Sequence, residues 1–128
     1  MRITTFLKRV LLLDAASCLG MGAGLLIGAT ALAAPLGLSA ALLGGAGLLL
    51  LPLGLFIGWL GLRAEAPAAL VWLVILGNLG WVGESLLVAF GRAGVSGLGI
   101  AFVTVQAAAV LGLALLEYAG LRAARATA

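Results

Sequence analysis

Apolar residues in this chain come in four long blocks, with no strict alternation of apolar and polar positions. The breaks fall at Pro35, between Leu62 and Pro67, and between Phe90 and Gly97. The blocks predict helices at about 10–34, 38–62, 67–90 and 97–121. Each is long enough to cross a bilayer, for which about 20 residues suffice. The missing alternation excludes the strands of a membrane barrel. A backbone inside hydrocarbon must satisfy its own hydrogen bonds, which leaves helices. The joining segments are short, so neighbouring helices run antiparallel. The expected fold is all-α: an antiparallel four-transmembrane-helix bundle, one domain over residues 1–128.

Composition agrees with this pattern. The chain is 65% hydrophobic and 9% charged, against about 45–50% and about 25% in soluble domains. Its mean hydropathy is +1.33. Such a chain cannot cover a globule with polar surface, which excludes a free cytosolic enzyme, a secreted disulfide scaffold and a disordered tail. There is no histidine, so no imidazole can ligate a metal or act as a base near neutral pH. Cys18 is the one cysteine, so an intrachain disulfide is impossible; we read it as a small packing residue. We expect no cofactor, no metal and no catalytic residue, and the chain is not read as an enzyme.

The charge pattern sets the orientation. Net charge is +3, with the basic residues at the ends of the apolar blocks. Anionic lipid headgroups, rather than nucleic acid, are therefore the expected partners. Arg2, Lys8, Arg9, Arg63, Arg122 and Arg125 fall on one side and Arg92 alone on the other. The excess of basic residues puts both termini in the cytoplasm. Phe6, Trp59, Trp72 and Tyr118 fall at the same end of their helices. Arg2, Lys8 and Arg9 followed by Ala31-Leu32-Ala33 also resemble a signal peptide with its cleavage site. The apolar stretch exceeds the usual 7–15 residues and Asp14 interrupts its start, so we read it as a retained span.

Close backbone approach, not leucine burial, drives helix association in lipid. Ser17, Gly20, Gly24 and Gly28 form a small-residue groove on the first helix. Gly47, Gly54, Gly58 and Gly61 form one on the second, and Thr104, Ala108 and Gly112 one on the fourth. These glycine zippers pack the bundle, or one of them faces outward and joins a second copy. Pro52 removes the donor for the Leu48 carbonyl, which predicts a kink.

Intramembrane polar residues carry the remaining chemistry. Asp14 and Glu117 lie five residues from Arg9 and Arg122 respectively, so they are read as shallow and at similar depth. They form either an ion-pair cluster with Arg9, Arg63 and Arg122 or an access site for a proton or cation. Glu84 sits roughly 9 Å from the outer end of its helix and shares a face with Gly77 and Gly80. Facing lipid, it would cost on the order of 2–3 kcal/mol, so it is expected to point into the bundle, protonate or reach Arg92. Asn78 and Gln106 are read as midplane partners joined by a direct hydrogen bond. Trp81 and Ser85 share the face of Asn78, and Glu117 that of Gln106. The expected polar seam is Asn78, Trp81, Ser85, Gln106 and Glu117, serving as interhelical glue or as a solute path.

Three motifs stand out: Asp14-Ala15-Ala16, Gly77-Asn78-x-x-Trp81 with Ser85, and Gln106-Ala107 leading to Glu117-Tyr118-x-Gly120-Leu121-Arg122. With these motifs the chain resembles a group of small uncharacterised bacterial four-helix inner-membrane proteins, along nearly its whole length. That resemblance implies a multi-pass protein of the bacterial inner membrane and no particular activity. In length, helix count and a carboxylate in helix 1 the chain is also similar to the small multidrug-resistance transporters. Their acid lies deeper in its helix, and their surrounding helix-1 pattern is absent. The leading expectation is a structural or accessory protein, either a homo-oligomer or a subunit of a larger membrane complex. The alternative is a proton- or cation-coupled carrier of a small solute using Glu84 and Asp14.

Overall fold

The computed structural model describes residues 1–126, and within them the chain forms four α-helices. They are α1 (Thr5–Leu36), α2 (Ala40–Leu62), α3 (Ala68–Gly91) and α4 (Gly97–Ala126). All four are long and apolar enough to span a membrane. The expected bundle is therefore present. The outer helices exceed their predicted bounds: α1 begins at Thr5 and α4 runs to Ala126.

Side chains fix the helix starts. The Thr4 hydroxyl accepts from the Leu7 N–H at 3.3 Å and the Ser39 hydroxyl from the Leu42 N–H at 3.0 Å. The Ser96 hydroxyl accepts from the Gly99 N–H at 3.0 Å. Each satisfies a donor that would otherwise have no partner in the first helical turn. α1 continues one residue past Pro35 and stops at Gly37, which has φ 67°. The Leu38 N–H then reaches the Ala33 carbonyl at 3.1 Å, and the Gly37 N–H reaches that of Ala34 at 3.2 Å. Only glycine adopts this left-handed turn cheaply. α2 is continuous through Pro52.

The helices form two antiparallel pairs, α1 with α2 and α3 with α4, joined mainly where α1 crosses α4. α2 and α3 barely touch, and α1 and α3 do not pack backbone to backbone. Small residues at seven-residue spacing build the α1–α2 contact: Ala15, Gly22 and Ala29 on one helix, Gly47, Gly54 and Gly61 on the other. A seven-residue period keeps one side facing a neighbour as two helices coil together. A Cβ on Gly47 would lie 2.6 Å from the Gly22 carbonyl oxygen, and one on Gly54 would lie 2.9 Å from the Leu19 side chain.

Of the two small-residue grooves, that on α2 faces α1, whereas that on α1 faces outward. A Cβ on Gly20 or Gly24 would meet nothing within 4 Å, and one on Gly28 would meet only Leu32 of its own helix. On α4 a Cβ on Gly112 also meets nothing, while Gly120 lies against Phe6 and Leu7.

Both ends of the bundle are tied. At the end holding the termini, the Ile3 N–H bonds the Ala64 carbonyl and the Ala66 N–H the Met1 carbonyl, both at 2.9 Å. At the other end the Ser96 hydroxyl donates to the Pro35 carbonyl at 2.7 Å and the Ser96 N–H to that of Leu36 at 3.1 Å. Arg63 stands 5.0 Å over the Trp59 ring and Arg122 5.9 Å over that of Tyr118. These cation–aromatic pairs gather where the sequence pattern placed the aromatic belt.

Candidate functional site

Helix ends determine which polar side chains can meet. Asp14 is nine residues from the start of α1, Asn78 ten from the start of α3, and Glu117 nine from the end of α4. At about 1.5 Å per residue all three lie at one depth, about 14–15 Å from the end holding the termini. Gln106, nine residues into α4, matches Trp81, ten from the end of α3, at a second depth. The polar residues therefore sort into two layers.

The first layer is a three-helix junction. Asn78 donates one N–H of its side-chain amide to Asp14 Oδ2 at 2.7 Å and the other to Glu117 Oε1 at 2.8 Å. The Cys18 thiol, one turn along α1, reaches Asp14 Oδ1 at 3.6 Å. Relative exposure is 2% for Asp14, 8% for Asn78 and 0% for Glu117. Glu117 Oε2 is buried with no hydrogen-bond partner. Fully buried Leu7, Leu11, Leu60, Val71 and Leu121 belong to the apolar core towards the termini. Two acceptors on one amide, in apolar surroundings, fix three helices relative to one another.

In the second layer the Trp81 indole N–H donates to Gln106 Oε1 at 2.9 Å. The Gln106 amide donates to Ser85 Oγ at 2.8 Å and to the Val103 carbonyl at 2.9 Å. This layer joins α3 to α4 alone. Thr104 Oγ1, also on α4, is buried without a partner.

Several expectations change here. Asn78 and Gln106 do not bond each other; each serves a different layer, because Asn78 lies thirteen residues from the α3 end of the α3–α4 turn and Gln106 only nine from its α4 end. Asp14 and Glu117 do lie at one depth, but an amide and a thiol, not arginines, are their hydrogen-bond partners. Cys18 is more than a packing residue, and its four-residue spacing from Asp14 was the available signal. Glu84 does not point into the bundle. It is exposed, roughly a quarter to a third of a turn round α3 from Asn78 and Ser85 and about a sixth from Trp81. A Cβ on Gly77 or Gly80 beside it meets nothing within 4 Å.

No family model, curated protein or solved structure matches the chain.

Two apolar cavities follow from the loose α2–α3 seam. One, of about 260 Å³, lies among all four helices and is lined by Asp14, Cys18, Phe56, Asn78, Trp81 and Gln106 with leucines and valines. The other, of about 330 Å³, runs between α2 and α3 past Leu42, Ala46, Glu84, Val88 and Phe102. Met21, Trp81 and Gln106 line both, so they adjoin as one lateral cleft. Glu84 stands on its rim and Asp14 at its inner end. Among the described residues no three of His, Cys, Asp and Glu gather to hold a metal ion.

Proposed function

We propose that the chain is a small multi-pass protein of the bacterial inner membrane with a structural or accessory role. It acts as a homo-oligomer or as a subunit of a larger membrane complex. The observation that carries this reading is the outward face of α1. Ala16, Gly20 and Gly24 are exposed at four-residue spacing, and the glycines there are unused in the packing of one chain. Exposed leucines cannot drive association in lipid, whereas small residues that admit a second backbone can. The basic residues at the end holding the termini support a cytoplasmic location for both, and the motifs around Asp14, Asn78 and Glu117 support membership of the small four-helix inner-membrane group.

The test is self-association in bicelles, read by energy transfer between labelled chains. Gly20→Ile and Gly24→Ile should abolish transfer while leaving unfolding free energy within about 0.5 kcal/mol of the parent. Transfer unchanged in both variants would reject this face as the interface. A reporter fused after Ala128 should be active only in its cytoplasmic form.

A second reading, a proton- or cation-coupled carrier of a small solute, is favoured by the cavity that reaches Asp14 and Asn78. On that reading Asp14 is the coupling carboxylate, and Glu84 is a rim group at the cleft mouth.

A further inference from the structure

Of the four carboxyl oxygens at the three-helix junction, three have a donor. Asn78 supplies Asp14 Oδ2 and Glu117 Oε1, and Cys18 supplies Asp14 Oδ1. The fourth, Glu117 Oε2, has none, although Glu117 is 0% exposed. An ionised carboxylate so placed would keep a bare acceptor in an apolar interior, beside a second buried carboxylate. Every titratable group facing the junction is acidic: Asp14 and Cys18 from α1, and Glu117 from α4. α3 contributes the neutral Asn78, and α2 contributes apolar Leu53, Phe56 and Ile57 to the cavity beside it. A neutral amide can bridge two carboxylates but cannot balance two charges.

We propose that the junction is a proton-binding site: Asp14 and Glu117 hold one exchangeable proton between them, carried on Glu117 Oε2, and Asn78 keeps the two carboxyls in register. The proton turns the unpartnered acceptor into a donor beside Asp14 and leaves one negative charge, which the Asn78 amide and the Cys18 thiol solvate. Binding takes two proton transfers. A hydronium ion in the cavity gives its proton to Asp14, which lines it, and leaves as water; the proton then passes from Asp14 to the Glu117 carboxylate, and release reverses both transfers. The apolar residues towards the termini exclude water from that side, so exchange runs through the cavity that Asp14 and Asn78 line. Like-charged carboxyls held together share a proton for the same electrostatic reason in other settings. This inference does not depend on self-association: a monomer would hold the same proton.

The chain has one aspartate and three glutamates, Glu65, Glu84 and Glu117, so the proton can be assigned. The experiment is infrared difference spectroscopy of the full chain in lipid nanodiscs, following the protonated-carboxyl C=O band through pH steps. The protein carries ¹³C-carboxyl glutamate in a Glu65→Gln, Glu84→Gln background, where Glu117 is the one remaining glutamate. The expected result is a band at neutral pH that shifts with the label and moves further in D₂O. It should disappear in Glu117→Gln, and in Asp14→Asn it should titrate away at lower pH, since the neighbouring charge is gone. No protonated band at neutral pH would overturn the proposal, as would a band that ignores the label or survives in Glu117→Gln. A band unchanged in Asp14→Asn would overturn the sharing. If Glu117→Gln does not fold, the label shift in the otherwise unaltered centre decides alone.

Discussion

Replacing Asn78 by leucine removes both hydrogens that hold the three-helix junction while keeping the branched shape of the side chain. Two buried acceptors, Asp14 Oδ2 and Glu117 Oε1, lose donors at 2.7 and 2.8 Å. Interhelical side-chain bonds in membranes are worth about 0.6–2 kcal/mol each. Two of them, with the added cost of stranding buried acceptors, give an expected loss of roughly 1–4 kcal/mol. The loss should fall on contacts among α1, α3 and α4, because α1 and α3 have no backbone packing of their own to replace the bridge. The assay is reversible unfolding in bicelles titrated with denaturing detergent, followed by helical circular dichroism. In an Asp14→Leu, Glu117→Leu background the same replacement should cost far less, since no acceptor is left to strand. A loss below about 0.5 kcal/mol in the parent background, or an equal loss in both, would refute the bridging role.

The remaining predictions use the same assay. Asn78→Leu and Gln106→Leu should be additive to within about 0.3–0.5 kcal/mol, because the two amides share no partner; a larger coupling would return them to one network. Gly47→Ala should destabilise by about 1–3 kcal/mol, since its Cβ would meet backbone at 2.6 and 2.7 Å, whereas Gly24→Ala should be nearly silent. Trp81→Phe keeps an aromatic ring but removes the donor to Gln106 at 2.9 Å, for an expected loss of about 1 kcal/mol; no loss would show that this bond does not contribute.

Much of the fold is legible in the pattern of residues, and the reasons differ from element to element. Hydrocarbon admits only closed backbone hydrogen bonding, so four long apolar blocks lead directly to four helices. Polar depth is less legible, because it was counted from Arg9 and Arg122, which lie inside α1 and α4 rather than at their ends. Counted from the true ends, Asp14, Asn78 and Glu117 fall together and Gln106 falls with Trp81. The glycines show a different ambiguity. α1 carries small residues at four-residue spacing on an outward face and at seven-residue spacing on a packed one, and sequence alone favours the more familiar spacing. The cost of facing lipid leads to Glu84 pointing inward, protonating or reaching Arg92, but the loose α2–α3 seam leaves it exposed at the rim of a cleft, an environment that helix-face arithmetic does not reveal. The shared helix face groups Trp81 and Ser85 with Gln106 in one polar seam, but it does not reveal the bonds: the sequence pattern pairs Gln106 with Asn78, whereas the structure bonds it to Trp81 and Ser85.

The central claim is that one amide, Asn78, holds two buried carboxyls on two other helices. The chain contains a single asparagine, so ¹⁵N-asparagine labelling yields one side-chain NH₂ signal in a nuclear magnetic resonance spectrum of the protein in lipid. Both hydrogens should be shifted downfield and protected from exchange with water. Asp14→Leu should release one of them and Glu117→Leu the other. A signal with both hydrogens in rapid exchange, or one that responds to neither substitution, would contradict the account.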